Sequence, residues 1–287
     1  MSENVIINDT AARPTRAERQ PAPFPGPILA TRHTARVIAF ANQKGGSGKT
    51  TCAVNLSSAI AAKGKKVLVI DIDPQSNATV ALGVNPAQLT RSIHDILLSP
   101  NQQISSILIA TQIPNLSLVP STIELAGAEI ELFHALGRET ILRDSFGDAA
   151  SKFDYIMIDC PPALSLLTVN ALTSASEVFI PVSLDFFALM GTRQLLNTIE
   201  LIRERLNPSL QVTGVIPTFY DARTNLSREA LAKLTEVFPG KVFATAIHNT
   251  VKLREAPGYG QPIALYDPHS RAAEEYAALA EEVIASA

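Results

Sequence analysis

The sequence predicts an α/β fold: a mostly parallel twisted sheet with helices on both faces. Three observations carry this expectation. Short, continuous apolar runs rich in β-branched residues recur along the chain, as in Val67-Leu68-Val69-Ile70 and Tyr155-Ile156-Met157-Ile158. Segments with helical spacing of apolar residues separate them. Two of the runs end in aspartate, at Asp71 and Asp159. A strand wet on one face alternates apolar and polar residues, whereas one covered on both faces reads as an unbroken apolar run.

Taken in order, Val37-Ile38-Ala39-Phe40 is the first buried strand. Helical spacing follows from Thr51 to Lys63, and Gly64 suits its end. The second strand is 67–70, and Leu116 to Val119 is a further candidate. Strands at 155–158 and 178–182 come next. A helix from Thr192 to Arg205 leads to a strand from Val212 to Ile216. A helix from Ser227 to Val237, a short strand at Val242-Phe243 and a helix from Ser270 onward complete the pattern.

Residues 1–34 read differently. Pro14, Pro21, Pro23, Pro25 and Pro27 lie among Arg13, Arg16 and Arg19. Such a stretch buries too little apolar surface to offset its ordering entropy, so it is expected to be a flexible arm. Residues 35–287 are then one domain. The 287 residues are 46% apolar and 18% charged, with a formal net charge of −3. That balance excludes a polycation, so any contact with nucleic acid must come from a local patch. The two cysteines, Cys52 and Cys160, form no zinc pattern or disulfide framework, which points to a reducing, cytoplasmic setting. No apolar run approaches the roughly 18 residues of a membrane span, and no signal-peptide core follows the N-terminus.

The first strand runs into Asn42-Gln43-Lys44-Gly45-Gly46-Ser47-Gly48-Lys49-Thr50-Thr51, where a helix begins. This matches G-x-x-x-x-G-K-[ST], with a slightly altered start, in the strand-turn-helix setting of a phosphate-binding loop. Glycines let the backbone wrap phosphates, and the helix N-terminus adds positive dipole. The nucleotide-binding residues are therefore expected to be Lys44, Gly45, Gly46, Ser47, Gly48, Lys49, Thr50 and Thr51. Lys49 is expected to reach the β- and γ-phosphates of ATP, and the Thr50 hydroxyl to bind Mg²⁺. Of the carboxylates, Asp73 is expected to orient the attacking water near the metal, with Asp71 supporting it by hydrogen bonds. Asp159, ending an apolar strand, is expected to hold Mg²⁺ through a water, as is Asp73. Both cysteines read as small buried thiols.

These segments resemble the ParA/MinD family of deviant Walker A P-loop ATPases, and within it the chromosomal ParA (Soj) type. The resemblance covers about residues 36 to 285. It rests on Asn42-Gln43-Lys44-Gly45-Gly46, Asp71-Ile72-Asp73-Pro74-Gln75 and Leu125-Ala126-Gly127-Ala128-Glu129-Ile130-Glu131-Leu132. It rests equally on Ile158-Asp159-Cys160-Pro161-Pro162, Asp221-Ala222-Arg223-Thr224-Asn225-Leu226, Glu255-Ala256-Pro257 and Tyr266-Asp267-Pro268. The resemblance implies a P-loop NTPase fold and a slow ATP hydrolase stimulated by a partner. It implies that Lys44 crosses to the partner's nucleotide, where it adds positive charge to the transferring phosphoryl group. It also implies a homodimer on ATP binding, non-specific DNA binding, a ParB-like or other adaptor, and a nucleoid-associated role in chromosome or plasmid partition.

Arg223 and Lys252 match the family's basic DNA-binding positions, and Arg254 and Arg228 extend the patch. Contacts of this kind are phosphate-directed and salt-sensitive. The chain departs from the family at Ile247-His248-Asn249-Thr250-Val251-Lys252-Leu253, where a Pro and an Arg are lost. It also departs at Met190-Gly191 and at Asp185, which replaces a common Glu. The alternative within the family is positioning of a protein cargo, such as a chemotaxis cluster, carboxysome or division factor. A MinD-type membrane regulator would need a basic amphipathic C-terminal helix, whereas residues 271–287 are acidic and Ala-rich. An iron–sulfur reductase would need cysteines placed to bind a cluster between subunits.

Overall fold

A computed structural model of the protein describes residues 35–99, 101–185 and 192–286. The expected arm of residues 1–34 and the Met190-Gly191 pair lie outside the described residues. Seven strands form one sheet: β1 (Arg36–Phe40), β2 (Val67–Asp71), β3 (Ile109–Ala110), β4 (Leu116–Val119), β5 (Tyr155–Asp159), β6 (Glu177–Ser183) and β7 (Gln211–Thr218). Their order is β3-β4-β2-β5-β1-β6-β7. Every pairing is parallel except β3 with β4 at one edge.

The helices are α1 (Lys49–Ala62), α2 (Asn77–Ala81), α3 (Ile93–Leu98), α4 (Leu125–Glu131), α5 (Ile141–Asp144) and α6 (Ala149–Lys152). They continue as α7 (Leu166–Ser174), α8 (Thr192–Arg205), α9 (Asn225–Val237), α10 (Lys252–Glu255), α11 (Ile263–Tyr266) and α12 (Arg271–Ala285). Two apolar cores explain the unbroken strand runs. Val37, Ala39, Leu68, Ile70, Ile156 and Ile158 point to one face, against α3, α4, α7, α8 and α9. Ile38, Phe40, Val67, Val69 and Met157 point to the other, against α1 and α12. Each such side chain buried contributes about 1.5–3 kcal/mol.

The long helices and six main strands match the sequence expectation to within two or three residues. The differences are at weak signals. The expected strand at 242–243 reduces to a single bridge between Val215 and Val242. There Phe243 packs edge-on to Phe179, whose ring lies over Gly214, where no Cβ would fit. The helices α2 to α7 and strand β3 carried too few periodic residues to be read.

The strand order sets the site. β5 lies between β1 and β2, with Phe40 opposite Asp159 and Asp159 opposite Asp71. The C-terminal ends of these three strands thus carry the phosphate loop and both aspartates side by side, where α/β folds bind ligands.

Candidate nucleotide-binding site

The loop leaves β1 at Ala41 and turns into α1 at Lys49. Gly46 has φ of 70° and Gly48 φ of 91°, the left-handed region that glycine enters without steric cost. A Cβ on Gly45 or Gly46 would meet nothing within 4 Å, so the loop backbone faces open space on its outer side. Ser47 is fully buried, its Oγ has no hydrogen-bond partner, and its carbonyl accepts from Thr218 Oγ1 at 2.8 Å. That bond ties the loop to the end of β7. Nothing in the sequence marked Thr218, because the pair is far apart along the chain.

Lys49 is 93% buried in α1's first turn, yet forms no ion pair within 4 Å among the described residues. Burial lowers its pKa, and the charges of Asp159, Cys160 and Asp73 oppose that shift. Asp159 is fully buried, and neither carboxylate oxygen has a hydrogen-bond partner. Burial and the neighbouring Asp71 raise its pKa well above the usual carboxylate range, while Thr50 and Lys49 act to lower it. A buried carboxylate with no partner is costly, and a native structure retains one where it serves a ligand. The donor set fits Mg²⁺ with a phosphate ligand. Mg²⁺ takes few protein ligands and completes its octahedron with phosphate and water.

Asp71 is engaged throughout, as expected of a support. Its Oδ2 accepts from the Thr79 N–H at 2.8 Å and the Thr79 hydroxyl at 2.7 Å, and its Oδ1 accepts from the Asp73 N–H at 3.1 Å. Burial raises its pKa to about 6, against these hydrogen bonds. Asp73 is 93% buried, and its Oδ1 accepts the Gln75 N–H at 2.9 Å.

Lys44 sits on the same face but turns away from these carboxylates. Its Nζ donates to Ser183 Oγ at 2.9 Å and to Asp185 Oδ1 at 2.6 Å. Its N–H donates to Asn42 Oδ1, and Asn42 in turn donates to the Pro181 carbonyl, which fixes the loop against β6. The sequence singled out Asp185 as a departure but gave no sign that it holds Lys44.

The basic residues lie elsewhere, on the segments that follow β7 and precede α12. Arg223 is 89% exposed and bidentate on Asp221, at 2.9 and 2.8 Å. Lys252 Nζ lies 3.4 Å from Glu255 and 5.4 Å from the Tyr266 ring centre. Arg254 donates to Asn249, and Arg228 to Asn225. Tyr220, Arg223, His248, Asn249 and Arg271 line one cavity of about 460 Å³ between these segments.

Neither thiol is chemically available. Cys52 is fully buried beside the Tyr276 hydroxyl, and burial pushes its pKa up to about 12. Burial pushes Cys160 higher still. The reactive or ligating form is the thiolate, so these two residues suit packing rather than a cluster or a nucleophile.

Comparison with known proteins agrees with this geometry. An AAA-domain family profile matches residues 35–212. The sporulation initiation inhibitor protein Soj of Bacillus subtilis is 48% identical over 251 residues, 88% of this chain and 99% of its own. The chromosome partitioning protein ParA of Caulobacter vibrioides is 43% identical over 251 residues, 87% of this chain and 94% of its own. A solved structure described as cobyrinic acid a,c-diamide synthase from Mycobacterium smegmatis, with bound ADP and magnesium, superposes with a TM-score of 0.77. It is 35% identical, with 87% of this chain and 94% of that one covered. The septum site-determining protein MinD from Pyrococcus horikoshii, complexed with Mg-ADP, superposes with a TM-score of 0.72. It is 27% identical, with 87% and 96% covered. From the phosphate loop, the paired strand-end aspartates and these matches over most of its length, the chain belongs to the ParA/MinD family of P-loop ATPases, among the relatives named ParA and Soj.

Proposed function

We propose that this ATPase is a nucleotide-switched homodimer that binds DNA without sequence preference and drives chromosome or plasmid partition. The observation that carries the reading is the direction of Lys44. It lies on the nucleotide face, yet it contacts Asp185 and Ser183 rather than its own subunit's Asp73 or Asp159. A lysine with no role at its own phosphate loop is suited to act on a neighbour's nucleotide, once that nucleotide's charge draws it from Asp185.

The remaining roles follow from position. The N–H groups of residues 45–51 and the α1 N-terminus cradle the phosphates of ATP. Lys49 neutralises β- and γ-phosphate charge. Thr50 and, through water, Asp159 and Asp73 would hold Mg²⁺, which would supply positive charge against the phosphates. Asp73 accepts a hydrogen bond from the attacking water and so orients it. Lys44 of each subunit adds positive charge at the other's transferring phosphoryl group. Hydrolysis is slow until a ParB-like or other adaptor binds.

The DNA face is Arg223, Lys252 and Arg254. All three are exposed; Lys252 and Arg254 are weakly held, and Arg223 would exchange its bidentate partner Asp221 for a duplex phosphate. The protein acts in the cytoplasm, on the nucleoid. A membrane role draws no support from α12. Its apolar residues Tyr276, Leu279, Ala280 and Val283 are buried in the core with α1, and no described helix is long and apolar enough to cross a bilayer.

The test is binding to random-sequence duplex DNA with ATP, with ADP and without nucleotide, at two salt concentrations, using the Asp73→Ala protein to hold the ATP state. Binding confined to ATP and weakened by salt is expected. Binding that ignores the nucleotide, or none at all, refutes the reading.

A further inference from the structure

Asp73 is held in place by a closed ring of buried hydrogen bonds. The ring joins three separate segments: the end of β2, helix α2 and the turn after β4. The Asp73 N–H donates to Asp71 Oδ1 at 3.1 Å. Asp71 Oδ2 accepts from the Thr79 hydroxyl at 2.7 Å. The Thr79 oxygen accepts from the Ser121 N–H at 2.9 Å. The Ser121 hydroxyl closes the ring by donating to the Asp73 carbonyl at 2.8 Å. Asp71, Thr79 and Ser121 are all fully buried.

Among the described residues, the Asp73 carboxylate has one hydrogen bond, and it comes from Gln75 within its own turn. No described residue outside the turn donates to the side chain. Its location therefore depends on its backbone, and the ring grips that backbone at both the N–H and the C=O. Groups that orient a reacting water must be placed closely, because a displacement of about 1 Å costs roughly 10²-fold in rate.

We propose that Ser121 and Thr79 are positioning residues for ATP hydrolysis, acting through the Asp73 backbone; this rests on the water-orienting role given to Asp73 above. Ser121 is the cleaner probe. Its hydroxyl makes one contact in the ring, and the Asp73 carbonyl also accepts the Ser76 N–H at 2.9 Å. Removing the hydroxyl thus leaves no buried carbonyl unpaired, and the Ser121 N–H to Thr79 is untouched. The fold has little reason to suffer, while the placement of Asp73 does.

The experiment measures kcat and KM for ATP, and the thermal midpoint, in the full-length chain. The variants are Ser121→Ala, Thr79→Ser, Asp73→Ala and the Ser121→Ala/Asp73→Ala double. Ser121→Ala is expected to lower kcat tenfold or more with KM and the thermal midpoint close to wild type. Thr79→Ser keeps the hydroxyl and is expected to retain turnover. In the Asp73→Ala background, Ser121→Ala is expected to have no further effect, because both changes remove the same function. An unchanged kcat in Ser121→Ala, or a loss that persists without Asp73, overturns the proposal. If Asp73→Ala itself turns over normally, the role of Asp73 fails first. If Asp73→Ala is inactive while Ser121→Ala is normal, only the positioning role fails.

Discussion

Replacing Lys44 by alanine separates a stability effect from a catalytic one by orders of magnitude. In the subunit, Lys44 pairs with Asp185, and the two side chains are 27% and 47% exposed. A pair so open to solvent is worth at most about 1 kcal/mol. For a chain of this size that is a fall in thermal midpoint of roughly 2–4 °C. A cation supplied in trans to a transferring phosphoryl group is worth about 10³-fold or more in rate. Lys44→Ala is therefore expected to fold and bind ATP, yet to lose nearly all turnover in a single-turnover phosphate-release assay. The trans arrangement is tested by mixing. Lys44→Ala and Asp73→Ala each keep only a small residual turnover alone. In a mixed dimer, the Lys44→Ala subunit keeps its own Asp73 and receives Lys44 from its partner, so one of the two sites is whole. Random pairing of equal amounts should restore about a quarter of wild-type turnover, since two-fold symmetry makes each subunit contribute to both sites. No recovery, with both variants still dimerising on ATP, refutes action in trans.

Three further outcomes are expected. Asp159→Asn removes a buried charge whose oxygens have no hydrogen-bond partner within 3.5 Å, and gives up only the pull of the nearby Thr50 hydroxyl. It should leave the nucleotide-free thermal midpoint at or above wild type while abolishing the tightening of ATP binding by Mg²⁺; a lower midpoint, or a retained Mg²⁺ effect, would contradict the assignment. Gly48→Ala puts a side chain at φ of 91° with its Cβ 3.5 Å from Thr218, an ordinary contact. The cost is conformational, about 1–2 kcal/mol, and should appear in denaturant unfolding together with weaker ATP binding. Cys52, with its pKa pushed up to about 12, and Cys160, pushed higher, stay thiols through pH 9. Iodoacetamide at pH 8 should label neither in the native protein and both after unfolding; rapid native labelling of Cys52 would mean that the α1–α12 core opens.

The phosphate loop was legible because a single stretch of chain, strand then loop then helix, builds the whole cradle. Glycines, lysine and hydroxyl all fall within residues 44 to 51. The aspartates were legible for a related reason. An apolar run marks a buried strand, and a charge that closes it lies at the strand's C-terminal end, where α/β sheets meet their ligands. Local periodicity also gave α8, α9 and α12, whose apolar stripes repeat over several turns, while α1 was marked by the loop before it and Gly64 after it and is buried nearly all round. The helices from α2 to α7 span only 4 to 9 residues. Too short to stand on propensity, they form because tertiary packing buries one side of each.

By itself the sequence determined the α/β class, the phosphate loop, the strand-end carboxylates and the kinship with ParA proteins. All of these are written in contiguous residues or in repeats of fixed period. Only the tertiary structure decided that β5 inserts between β1 and β2, and that Lys44 rests on Asp185. It alone decided that Thr218 pins Ser47 and that Ser121 closes a ring on Asp73. Each of these joins residues tens to more than a hundred positions apart, and the order of residues along a chain carries no distance between segments until the sheet order brings them together.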